Sequence, residues 1–83
     1  MNLYNKITSR IKEIRQQKNY TQEELSILAF GEPAKSRINS VELGRRGANI
    51  HTIEKILNAL GYTLAVVPLE KAEEVERELN EEN

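Results

Sequence analysis

The chain has 83 residues, 39% of them hydrophobic and 30% charged, with no Cys, a single His (His51) and a formal net charge of −1. That length suits one small domain rather than two, and the balance is that of a folded soluble chain rather than a disordered or fibrous one. Without cysteine there are no disulfides, thiolate zinc sites or cysteine nucleophiles, and a lone histidine excludes the usual multi-histidine metal sites.

The elements are predicted in chain order as follows. Leu3, Ile7, Ile11 and Ile14 recur at helical spacing with Lys6, Arg10, Lys12, Glu13 and Arg15 between them, which predicts a first helix over 3–18 with those apolar residues on one face. Thr21 is a good N-cap and Glu24 completes a capping box, opening a second helix over 22–30 with Leu25, Leu28 and Ala29 inward and Gly31 as its stop. Pro33 is placed in the first turn of a third helix, where its missing N–H is harmless; Ala34, Ile38 and Val41 form its inner face and Gly44 its end. Asn49 caps a fourth helix striped by Ile50, Ile53, Ile56, Leu57 and Leu60 and stopped by Gly61.

The period then changes. Tyr62-Thr63-Leu64-Ala65-Val66-Val67 is β-prone and ends at Pro68, yet no second segment reads as a strand to pair with it. An unpaired strand exposes a row of backbone groups. Pairing with the same strand of a second copy, through Tyr62, Leu64 and Val66, would give a two-fold antiparallel ribbon; the rival is a coil laid over the core. Leu69, Ala72, Val75 and Leu79 fall at helical spacing in a thin, partly ordered last helix. The organisation is therefore a helical body over 1–61, a dimerisation strand over 62–68 and an acidic, partly helical tail over 69–83. Charge divides similarly: residues 1–69 carry ten basic and six acidic side chains, residues 70–83 two and seven. A basic body with an acidic tail suits a polyanion binder, although solvated faces can differ this much by chance.

Helices two and three are short, adjacent and joined by a Gly-containing turn, the layout of a helix-turn-helix whose second helix enters the major groove of DNA. Thr21-Gln22-Glu23-Glu24-Leu25, followed by Ser36-Arg37-Ile38-Asn39-Ser40-Val41-Glu42-Leu43-Gly44, resembles the lambda-repressor-like (Cro/XRE) helix-turn-helix family. Leu57, Leu60 and Gly61 match the end of its next helix, so the resemblance covers about residues 7–61. It implies an all-α bundle of four to five helices, to which the segment read above adds one C-terminal β-strand pairing across a homodimer. Between Gln22 and Ile38 the chain is about two residues longer than the family spacing, with the surplus in Phe30-Gly31-Glu32-Pro33; this leaves the register of the base-reading residues open.

Lys35, Ser36, Arg37 and Ser40, with Asn39 at their flank, are the candidate base-reading residues: Lys or Arg can read guanine, Asn adenine, and Ser several bases weakly. Arg45 and Arg46 follow on a loop, where they either bind phosphates or merely solvate the chain. The resemblance also implies that Gln22, at a helix N-terminus, meets a phosphate. Glu42 reads as structural, paired with a basic residue of the body. Tyr4, Tyr20, Phe30 and Tyr62 read as core or dimer packing rather than base-stacking platforms, and His51 as an ordinary surface residue.

The order helix-turn-helix, helix, Gly-Tyr-Thr-Leu-Ala-Val-Val-Pro is also similar to the HipB-type antitoxins. Those are small homodimeric repressors with a shared β-lid, and the resemblance implies repression of the protein's own operon at a palindromic double-stranded operator and neutralisation of a HipA-like kinase toxin. The acidic tail would then serve toxin contact or proteolysis, or else only solubility. A stand-alone phage or plasmid regulator and an interaction module that has lost DNA binding are the alternatives. No nucleophile–base pair, metal set or phosphate loop is apparent, so neither enzymatic activity nor a cofactor is expected. No apolar run approaches the roughly 18 residues of a membrane span, and the opening MNLYNKITSR lacks the apolar core of a secretory signal. A cytoplasmic location, away from membranes, is expected.

Overall fold

A computed structural model of the protein describes residues 3–45 and 48–72. Within them lie four α-helices, α1 (Leu3–Gln17), α2 (Gln22–Phe30), α3 (Lys35–Glu42) and α4 (Ile50–Ala59), followed by a single 3-10 turn, Leu69–Lys71. The described residues are all-α and contain no β-strand. None of their helices is long and apolar enough to cross a membrane.

Local chemistry sets most of the helix ends. The α1 chain turns out of its helix at Asn19, which adopts a left-handed φ of 62°. There the Tyr20 N–H reaches back to the Arg15 carbonyl (3.1 Å) and the Asn19 N–H to that of Gln16 (3.0 Å), satisfying carbonyls that the helix leaves orphaned. At the start of α2 the capping box forms in full: Thr21 Oγ1 accepts from the Glu24 N–H (3.0 Å) and Glu24 Oε1 from the Thr21 N–H (2.9 Å). Thr21 donors at that carboxylate hold the Glu24 pKa below the ordinary glutamate value. Asn49 Oδ1 caps α4 by accepting from the Thr52 N–H (2.8 Å).

The start of α3 differs from the sequence expectation. Pro33 stands outside the helix, which opens at Lys35 with Ala34 as an N-cap lacking any side-chain cap bond. One helix back, the Oγ of Ser26, fully buried, accepts the Ala34 N–H (2.9 Å) and donates to the Glu23 carbonyl (2.6 Å). The turn between α2 and α3 is thereby tied to the inner wall of α2, and its four residues, 31–34, lie ahead of the pinned helix start.

Nine buried side chains form the core: Ile11 and Ile14 of α1, Leu25 of α2, Ile38 and Val41 of α3, and Ile53, Ile56, Leu57 and Leu60 at α4. Each is worth about 1.5–3 kcal/mol of burial. α2 packs against both α3 and α4, and α1 against α3, so every helix contributes to one apolar centre. Three residues expected to face inward do not: Leu28 is 53%, Leu3 72% and Ile50 74% exposed. At 100° per residue, the inner face of α2 is shared by Leu25, Ser26 and Ala29, which turns Leu28 toward solvent. Ile50 sits in the first turn of α4, before the stripe at 53, 56, 57 and 60 comes round to the core.

Residues 62–68, expected to form a strand, carry no regular secondary structure. A strand is defined by its backbone partner, and none of the described segments supplies one. The Tyr62 N–H instead closes α4 by donating to the Leu57 carbonyl (2.8 Å), and Leu64 packs on the core, while Tyr62 and Val66 are 41% and 103% exposed. The 3-10 turn opens the predicted last helix; the remainder of that prediction, 73–83, lies outside the described residues.

Candidate nucleic-acid interface

Eight residues make up α3, and their phase decides what each can do. Ile38, Val41 and Glu42 are buried. Successive residues turn by 100°, so Ser36 and Ser40 stand opposite that inner face with Arg37 and Asn39 on either flank. Lys35 is exposed in the first turn. Four of the five residues expected to read bases thus occupy the outer and lateral faces of one helix, while Lys35, at nearly the phase of Glu42, is exposed only because it stands in the first turn. Leu43, its C-cap, was not singled out in the sequence, yet it is 56% exposed beside them.

Ser36, Arg37, Ser40, Val41, Arg45, Ala48 and Thr52 line an open groove between α3 and the start of α4. It brings three predicted base-reading residues together with a predicted phosphate-binding one. Two guanidinium-bearing residues and three hydroxyl-bearing ones make this a concave, donor-rich wall of the kind a phosphate backbone requires. Arg37 is partly committed: its guanidinium carbon lies 4.0 Å from the centre of the Phe30 ring, a cation–π contact that draws it toward the turn.

Arg45 owes its position to α1. The Tyr4 hydroxyl donates to the Arg45 carbonyl (2.8 Å), and the preceding Gly44 has a φ of +73°. Its left-handed backbone favours glycine, and a Cβ there would stand 2.9 Å from Oδ1 of Asn5, whose side chain would have to move aside. Arg46, the other predicted phosphate contact, lies outside the described residues.

Gln22 does something the sequence did not disclose. Its Nε2 donates to Glu42 Oε1 (3.1 Å) and to Asn39 Oδ1 (3.2 Å), so the amide points into the angle between α2 and α3. Glu42 in turn is held by Arg15 through two bonds, Nε to Oε2 (2.6 Å) and Nη2 to Oε1 (3.1 Å). The third guanidinium nitrogen of Arg15 donates to the Tyr20 carbonyl (2.8 Å). Glu42 was expected to pair with a basic residue of the body, and Arg15 is that residue, the two side chains being 2% and 12% exposed. The result is a polar chain from α1 through α3 and α2 to the flank of the outer face of α3.

No protein-family model matches the sequence, and no curated protein matches it either.

Proposed function

We propose that the protein is a sequence-specific DNA-binding regulator of the lambda-repressor-like (Cro/XRE) kind, acting as a homodimeric repressor with α3 in the major groove. The observation that carries this reading is the α2–turn–α3 unit, whose outward face gathers Ser36, Ser40, Arg37 and Asn39 beside Arg45. Polar and cationic groups on a rigid helix, backed by a buried apolar wall, are what base-edge and phosphate contacts require. Lys35, Ser36, Arg37, Asn39 and Ser40 read bases; Arg45, with Arg46 beyond it, neutralises phosphates. Gln22 contributes through the α2 N-terminus, where backbone amides favour an anion.

A single domain of this size makes few contacts, so useful specificity needs two. The apolar segment 62–67, with Tyr62 and Val66 exposed, is the surface for a second copy. Its backbone groups pair antiparallel across a two-fold axis and set two copies of α3 on half-sites about one helical turn, or a multiple, apart.

The test is titration of the purified chain with palindromic duplexes from its own promoter at several salt concentrations. Binding that weakens steeply with salt is expected. Failure to bind any duplex, or a flat salt response, refutes the reading. The antitoxin role belongs to the same proposal: co-purification of a HipA-like kinase encoded beside the gene supports it, and a neighbourhood without such a kinase leaves the stand-alone regulator.

A further inference from the structure

Arg37 is exposed, yet its charge does not hang free: the guanidinium carbon lies 4.0 Å over the centre of the Phe30 ring, a distance at which stacked groups are in van der Waals contact. That ring is itself fixed. Phe30, the last residue of α2, is half-buried and packs against the core. An exposed arginine ordinarily samples many rotamers, and binding through it carries the cost of stopping that motion. Here the tip is held before any partner arrives. Stacking engages the face of a guanidinium, while its N–H donors lie in the plane and point outward from the edge. None of these donors on Arg37 has a hydrogen-bond partner among the described residues, in contrast to Arg15, whose three nitrogens are spent on Glu42 and Tyr20.

We infer that Phe30 is a positioning residue for DNA recognition: its ring pre-sets the Arg37 fork for two adjacent acceptors on the duplex, and the stack persists in the complex. Guanine offers such a pair in N7 and O6, and a phosphate offers it in two of its oxygens. The inference rests on the proposed DNA-binding role and adds to it a residue of the neighbouring helix that acts through Arg37.

The experiment is a double-mutant cycle on the full-length chain, with the duplex that the wild type enriches most from a random-sequence library. The variants are Phe30→Leu, Arg37→Ala, the two together, and Phe30→Tyr, each first checked for helical content and cooperative melting. Phe30→Leu removes the ring but keeps an apolar side chain on the core, and should weaken binding by roughly two- to twelve-fold, the cost of ordering one long side chain. In the Arg37→Ala background the same change should have no further effect, and Phe30→Tyr, which keeps the ring, should bind as the wild type does. A merely structural Phe30 would instead weaken binding equally in both backgrounds. The acceptor follows from Arg37→Ala: loss of guanine preference at one position marks a base, and a lower salt slope with unchanged preference marks a phosphate. In the free wild type, the ring current of Phe30 should shift the Arg37 side-chain protons upfield in NMR spectra; ordinary shifts there overturn the inference without any variant. Equal losses in both backgrounds, unchanged or tighter binding by Phe30→Leu, or a loss in Phe30→Tyr as large as in Phe30→Leu overturns it while leaving DNA binding intact. If the wild type enriches no duplex, the proposed function falls and the inference with it.

Discussion

Consider Arg15→Met. The substitution keeps most of the side chain's length and apolar stem but removes three donors: two from the Glu42 carboxylate and one from the Tyr20 carbonyl. Glu42 would remain with only the Gln22 amide, in a site where its side chain is 2% exposed. Breaking a buried pair by removing one member costs about 3–5 kcal/mol, because the survivor is a poorly solvated charge. A domain of this size has a total stability on the order of 4–12 kcal/mol, so the loss is a large share of the total. Since each kcal/mol moves the midpoint of so small a domain by roughly 4–8 °C, Tm should fall by at least about 12 °C. Replacing both members, Arg15→Met with Glu42→Leu, removes the stranded charge along with its partner. The double variant should recover about 2–4 kcal/mol relative to Arg15→Met, short of full recovery because the Tyr20 carbonyl still loses its donor. Urea denaturation of the four proteins, followed by circular dichroism, closes the double-mutant cycle. Single variants each within about 1 kcal/mol of wild type would refute the reasoning, since the pair would then behave as a solvated surface contact.

Four further outcomes are expected. Gly44→Ala and Gly31→Ala should each lower stability by roughly 1–2 kcal/mol in urea melts, because both glycines have a φ above +70° that a Cβ strains, and the Asn5 side chain met at Gly44 can move aside. Arg45→Ala should weaken all duplexes alike and lower the salt slope by about one, while Lys35→Ala or Ser40→Ala should alter which duplex is preferred; loss of preference at a single base in Arg45→Ala would contradict that division. Val66→Glu, at a side chain that touches no core, should leave the helical content unchanged and shift sedimentation from dimer to monomer; an unchanged dimer removes the ribbon. Because Thr21 donors lower the Glu24 pKa in the folded state, the contribution of the capping box is complete above the ordinary value of 4.5 and is lost as pH falls through the lowered one. Acid titration of stability should therefore show a smaller loss in Glu24→Gln, which has no carboxyl to protonate, than in wild type; Thr21→Ala keeps the backbone N–H that chiefly lowers the pKa.

What could be read in advance was local. Thr21 with Glu24, Asn49, Gly31 and Gly61 mark helix ends through bonds to near neighbours in the chain, and α2 begins and ends where those signals stand. Ile11, Ile14, Ile38 and Ile56 announce the core by period alone. The misreadings have a common cause in long-range contact. Ser26 is polar, which argues against an inward place, but its hydroxyl is the buried partner of the Ala34 N–H. Leu28 is apolar and so was assigned inward, but the joint packing of α2 on α3 and α4 rotates it out. On the candidate interface, helical phase was enough to gather Ser36, Arg37, Asn39 and Ser40. The bonds joining Gln22 to Asn39 and Glu42 were not legible, because they span 17 and 20 residues and leave no periodic trace.

The division of α3 into a buried wall and an outer face has a use in engineering. Ile38, Val41 and Glu42 hold the helix in place by themselves, so Lys35, Ser36 and Ser40 can be exchanged as a cassette, like type set into a fixed press, without redesigning the frame. Asn39 is tied to α2 through Gln22, so a change there also alters a contact with the neighbouring helix.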